Sequence, residues 1–207
     1  MKGRKTMDLL TIGILSIYSI CLWGYHYLYF FLTERKEVVT QRNRINKAIV
    51  SWFHISIEEE DYMLMIHQLR NVIMSVTFLA SAAVLLLGLL VGFSPSAIPE
   101  PIVNGDYALW LIIFTLIYSF FNFLLCLRHF TRITFLVRSS HETLEEISGE
   151  KADIYLANLF IRGNREYTLG RRSMLYGIVA LTWLLNVWVF LILTVGMTLA
   201  FVISYDF

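Results

Sequence analysis

The chain has 207 residues, of which 57% are hydrophobic and 16% charged, with a formal net charge of +1 and a mean hydropathy of +0.62. A soluble domain carries about 25% charged residues, so the composition excludes an ordinary soluble enzyme and points to lipid as the solvent. The near-neutral total gives no basic surplus for nucleic acid, and the length suits one membrane domain.

The first apolar run predicts a transmembrane helix over 7–32, following the basic residues Lys2, Arg4 and Lys5. It is too long for the apolar core of a signal peptide and shows no small-residue cleavage site, so it reads as a retained helix. Its second half, Trp23 to Phe31, is crowded with aromatics that favour the headgroup level. His26 lies in that belt and reads as an interfacial polar residue rather than a ligand or proton carrier. The segment 33–70 is polar. Val38, Val39, Ile45, Ile49, Trp52 and Phe53 recur loosely at helical spacing with Arg42, Arg44 and Lys47 between them. This predicts an amphipathic helix, lying on the membrane or packed on its own bundle. The acidic run Glu58-Glu59-Glu60-Asp61 reads as a solvated turn, because consecutive carboxylates point in different directions on a helix and do not converge on a metal.

A second transmembrane helix is expected over 71–92, where some twenty residues carry no charge, enough to cross a ~30 Å hydrocarbon core. Gly88 and Gly92 form a small-residue pair suited to helix packing. The stretch 93–106 contains every proline of the chain and reads as a loop. A third helix is expected over 107–127, continuing without a breaker to Arg138 and presenting Arg128 and Arg132 on one side. The polar segment 139–172 contains a short apolar helix candidate at 155–161 and closes on Arg162, Arg165, Arg171 and Arg172. Its glycines follow no strand and form no phosphate loop. A fourth helix is expected over 173–203, with Asn186 as an interhelical hydrogen bonder and Gly196 with Ala200 as a further packing pair. The predicted fold class is therefore an all-α integral membrane protein. Four transmembrane helices form its bundle, with amphipathic helical segments between helices one and two and between helices three and four.

Three lysines and arginines precede helix one, six lie in 33–70, none in 93–106 and eight in 128–172. The positive-inside rule places both long segments in the cytoplasm and, with four spans, both termini outside, most naturally in the plasma membrane. The basic tail is the one feature on the opposing side. No acidic residue lies in a central span, which leaves a carboxylate proton relay unsupported. Among the histidines His26, His54, His67, His129 and His141, only His26 with His67 or with His129 falls at matching depth on separate helices. That is the minimum for bis-histidine haem, and no cofactor, metal site or catalytic residue is expected. Cys21 and Cys126 both lie in apolar runs and read as packing residues, not a disulfide.

Three groups of residues carry a resemblance. They are Gln68-Leu69-Arg70-Asn71 with Ile73-Met74 and Thr77 to Ser81; Arg128, Phe130 and Phe135-Leu136-Val137; and Arg162, Arg165, Tyr167-Thr168-Leu169-Gly170 and Arg172. In this order the chain resembles the domain-of-unknown-function 599 proteins. The resemblance implies a small four-pass membrane protein and no particular activity. The matching arginines Arg70, Arg128, Arg162, Arg165 and Arg172, with Arg132 beside them, all fall at the expected cytoplasmic mouth. They form the candidate site for one anionic target, either lipid headgroups or an acidic partner. The expected function is a non-catalytic scaffold or accessory subunit that binds membrane lipid and other membrane subunits, or its own copies. The alternative is a small transporter or channel for an anionic solute.

Overall fold

The computed structural model describes residues 9–34, 41–92 and 105–203, all helices and short turns. The basic tail, the segment 35–40 and most of the expected loop at 93–106 lie outside the described residues. Helix α1 (Leu9–Ser19) passes through one π-helical turn (Ile20–Gly24) into α2 (Tyr25–Glu34) without changing course. It is followed by α3 (Gln41–Glu58), α4 (Tyr62–Gly92), α5 (Gly105–Leu136), α6 (His141–Ser148), α7 (Ala152–Leu181) and α8 (Val187–Phe201). Among the described residues, Leu9–Phe31, Tyr62–Gly92 and Asp106–Leu136 are long and apolar enough to cross a membrane, and Val187–Phe201 is a shorter apolar helix.

The acidic run is a turn. Helix α3 ends at Glu58, Glu60 takes a left-handed conformation (φ 55°), and Asp61 accepts a bond from the Leu64 amide. Helix α3 stands alongside α7, burying Phe53 and Ile57 against the bundle, so the packed reading of this segment describes the structure. The third helix runs unbroken beyond its apolar part to Leu136, as the absence of a breaker predicts.

The axis of the molecule is the antiparallel pair α5 and α7, the most extensive helix contact. Three glycines seven residues apart on α7 meet three large residues seven apart on α5. Gly163 lies against Phe130, Gly170 against Phe123 and Gly177 against Leu116. A Cβ on any of them would stand 2.6–2.9 Å from its neighbour's side chain, so only hydrogen fits. This heptad of small residues lets the two backbones approach. The Ser119 hydroxyl then reaches across to the Gly170 carbonyl at 2.7 Å. Two cores lie along this axis. One gathers Phe53, Met65, Leu69, Phe123, Phe130 and Leu156 in the polar half; the other gathers Tyr18, Ile112, Leu116, Tyr176, Trp183 and Phe190 in the apolar half.

The C-terminal third departs from expectation. The boundary expected at residue 173 does not exist, because α7 continues from the polar segment 152–172 into the apolar one. The helix expected over 173–203 is instead broken. A 3-10 turn (Thr182–Leu184) ends α7, and Asn186 caps α8, its side-chain oxygen accepting from the Trp188 and Val189 amides at 2.8 and 3.3 Å. Asn186 is therefore a helix cap, exposed, and not an interhelical bonder. Helix α8 folds back on α7. Trp183 stacks on Phe190 at 5.1 Å, and the Tyr176 hydroxyl bonds Thr198 at 2.6 Å. Phe201 thus ends beside Arg172 and Tyr29, while α1 begins about three turns before Tyr18 at the other end of the bundle. Gly88, Gly92, Gly196 and Ala200 are exposed, and open space surrounds each of the three glycines. The small-residue seam used within the chain is the one on α7.

Candidate functional site

Antiparallel packing of α5 and α7 brings Arg128, Arg132 and Arg162 to one level. Gly163 abuts both Phe130 and the Cβ of His129, which puts Arg162 level with Arg128 and Arg132. These three guanidiniums surround His129 electrostatically and are themselves exposed. One turn along α7, Arg165 lies over the Phe30 ring at 4.6 Å, and Arg42 of α3 lies over the same ring at 4.7 Å. A single aromatic thus has two guanidiniums on it, an arrangement the ring quadrupole favours. Arg42 also donates to Tyr29. Burial lowers the Arg42 guanidinium from its usual range; Tyr29 opposes this, while the charges of Arg165 and Arg172 add to it. Glu166 is half-buried in the same group. Burial raises its carboxyl above the ordinary carboxylate range, and Arg165 and Arg42 pull it back.

Of the six arginines expected to converge, Arg128, Arg132 and Arg162 form one group. Arg165 joins Arg42 in a second group. Arg70 is exposed on α4, a helix that carries neither group. Arg172 is different again. It sits seven residues beyond Arg165, about 10 Å further into the apolar half. There it is 2% exposed, between the rings of Tyr29 (5.1 Å) and Phe201 (4.9 Å). His26 is not at the surface either; it is buried against Tyr176 in the same half. The apolar half also buries Thr11, Thr115, Ser119, Asn122 and Thr194. Sequence reasoning missed Arg42, Tyr29 and Glu166. The spacing of Arg165 and Arg172, two turns apart on one face, was the available signal for that side of α7.

Beyond the arginine layer the polar end of the bundle is acidic. Glu58, Glu59, Glu60, Asp61, Glu142, Glu145, Glu146 and Glu150 are all exposed there. His54 bridges two carboxylates, Asp153 at 2.8 Å and Glu58 at 3.3 Å, above a cleft of about 350 Å³ that also holds His141 and Lys151. No group of three His, Cys, Asp or Glu among the described residues is arranged to hold a metal. Cys21 and Cys126 are free thiols associated with different cores.

Among the described residues, an all-helical bundle with three helices long and apolar enough to cross a membrane suggests a membrane protein, with arginines at one end of its apolar half. The family whose model matches residues 14–207 is described as protein of unknown function, DUF599, and the chain belongs to it. No curated protein and no solved structure matches the chain.

Proposed function

We propose that the protein is a non-catalytic membrane scaffold or accessory subunit whose arginine layer binds anionic lipid headgroups. In this reading α1 with α2, α4 and α5 cross the bilayer, α7 and α8 complete the bundle as a hairpin, and the arginine layer faces the cytoplasm. The N-terminal end of α1 then lies outside, in the plasma membrane by the same charge bias. The observation that carries the choice of lipid is the order of charges along the bundle. Arginines sit at the edge of the apolar half, and carboxylates occupy the end beyond it. An acidic partner approaching from water meets the carboxylates first and is repelled, whereas headgroups lie beside the arginines. Each exposed arginine near an anionic surface is worth about 1 kcal/mol. Helix α4 has the least covered apolar window, 17% buried, and offers the surface for a companion subunit or a second copy.

The test is native mass spectrometry of delipidated protein titrated with phosphatidylglycerol or phosphatidylcholine. Wild type should retain phosphatidylglycerol preferentially, and less so as salt is raised. The triple variant Arg128→Ala/Arg132→Ala/Arg162→Ala should lose that preference while binding phosphatidylcholine as before. Equal retention of both lipids by wild type would sink the reading. The second reading, passage of an anionic solute, is favoured by one observation, the depth at which Arg172 is buried.

A further inference from the structure

Arg128 and Arg132 stand one turn apart on the same side of α5, and both are exposed. On α7, Gly163 packs so closely that a Cβ there would lie 3.2 Å from the Cβ of His129, which brings its exposed chain neighbour Arg162 beside the same histidine. All three guanidiniums are within electrostatic reach of His129. Among the described residues none of the three arginines makes an ion pair or a hydrogen bond. The second arginine group is different. Arg42 and Arg165 lie over the Phe30 ring, and Glu166 is coupled to both of them.

The side of α5 that carries Arg128 and Arg132 continues into the apolar half. Ile117, Phe121 and Leu125 precede Arg128 at spacings of four, four and three residues and are 37%, 58% and 43% exposed. One helix face therefore presents an apolar track that ends on two guanidiniums, with a third contributed by α7. That is the outline of an amphiphile with its anionic head at the arginines and its chains along the track.

The number of guanidiniums bears on the kind of head. Each offers a planar fork of N–H donors that fits two oxygens of a phosphate. A phosphodiester headgroup has two free oxygens and a single charge, which one fork satisfies. A phosphomonoester has three free oxygens and a charge of about −1.5 to −2 at neutral pH. Three forks without a protein carboxylate exceed the first and match the second.

We infer that Arg128, Arg132 and Arg162 form a site for a terminal phosphomonoester, the headgroup of a phosphatidate-type lipid, in preference to phosphodiester lipids. This rests on the lipid-binding reading above and narrows it to one headgroup chemistry.

The experiment is native mass spectrometry of the delipidated full chain in detergent, titrated with phosphatidate, phosphatidylglycerol and phosphatidylcholine of identical acyl chains. At about pH 8 wild type should retain phosphatidate about tenfold or more over phosphatidylglycerol, the equivalent of one further charge-assisted hydrogen bond. Below the second ionisation of a phosphomonoester, at about pH 6, both lipids carry one charge and the preference should shrink. Arg128→Lys/Arg132→Lys/Arg162→Lys keeps the charge and removes the forks. It should still hold phosphatidylglycerol over phosphatidylcholine, while the preference for phosphatidate falls toward parity. Wild type that retains phosphatidate and phosphatidylglycerol equally, both above phosphatidylcholine, overturns the inference and leaves the lipid-binding reading standing. Equal retention of all three lipids overturns both. Glycerol 3-phosphate at the same concentration should leave bound phosphatidate in place. Its displacement of the lipid would keep the phosphomonoester chemistry, make a soluble ester the ligand and overturn the lipid-binding reading. The decisive comparisons use wild-type protein, so a variant that fails to fold does not weaken them.

Discussion

Gly170→Val places the sharpest demand on the α5–α7 seam. A Cβ at this position would lie 2.8 Å from two carbons of the Phe123 ring. Ordinary carbon contacts are about 3.5 Å or longer, so the overlap is about 0.7 Å. Phe123 is fully buried with Tyr167 against it, which leaves the ring little room to turn aside. Overpacking of this kind costs about 1–3 kcal/mol. Separating the helices also loosens the 2.7 Å bond from Ser119 to the Gly170 carbonyl, worth about 0.6 kcal/mol between apolar helices. Valine recovers a few tenths of a kcal/mol in helix propensity over glycine. The net loss is about 2 kcal/mol, which for a chain of this size lowers the Tm by about 4–8 °C. The control is Gly88→Val, where nothing lies within 4 Å and the propensity gain stands alone. Its Tm should stay level or rise slightly. The assay is thermal unfolding in detergent followed by size-exclusion chromatography. Should the two variants shift the Tm alike, the seam is not where these helices are held.

Removing the cap of α8 with Asn186→Ala should cost about 1 kcal/mol, since two amides lose their acceptor. Asn186→Asp should restore the Tm, and a loss shared by both variants would show that something other than capping matters. Glu166 gives a pH-dependent outcome. Its folded carboxyl is raised, so the contribution of this position to stability is greatest below the ordinary carboxylate range and falls as pH rises through the folded value. Glu166→Gln should therefore leave the Tm unchanged in acid and raise it at neutral pH. A lower Tm at neutral pH would mean that the carboxylate holds Arg42 and Arg165 more strongly than burial opposes it. Non-reducing electrophoresis should show no change in mobility on reduction, because the two thiols belong to different cores.

The class of protein was legible in the chain because hydropathy is a property of composition. Runs such as 71–92 and 107–127 are apolar whatever they touch, and the missing breaker after Leu127 carries α5 on to Leu136. The family resemblance, resting on Arg70, Arg128, Tyr167 to Gly170 and Arg172, agrees with the match over residues 14–207. What a composition window does not see is partnership. The polar stretch 152–172 continues as the same helix into the apolar one because α5 covers its glycine face. Asn186 within an apolar run is equally consistent with a buried bonder and with a cap, and only the return of α8 onto Tyr176 and Trp183 decides between them. The glycines at 163, 170 and 177 acquire meaning from Phe130, Phe123 and Leu116, some 33 to 61 residues away in the chain. His26 follows the same logic. Its aromatic neighbours in sequence suggested the headgroup level, but packing against Tyr176 of α7 removed it from solvent. Which segments prefer lipid to water follows from side-chain transfer energies, which need no neighbour. Which polar groups are carried inside with them depends on the helix faces that come together, and so on long-range packing.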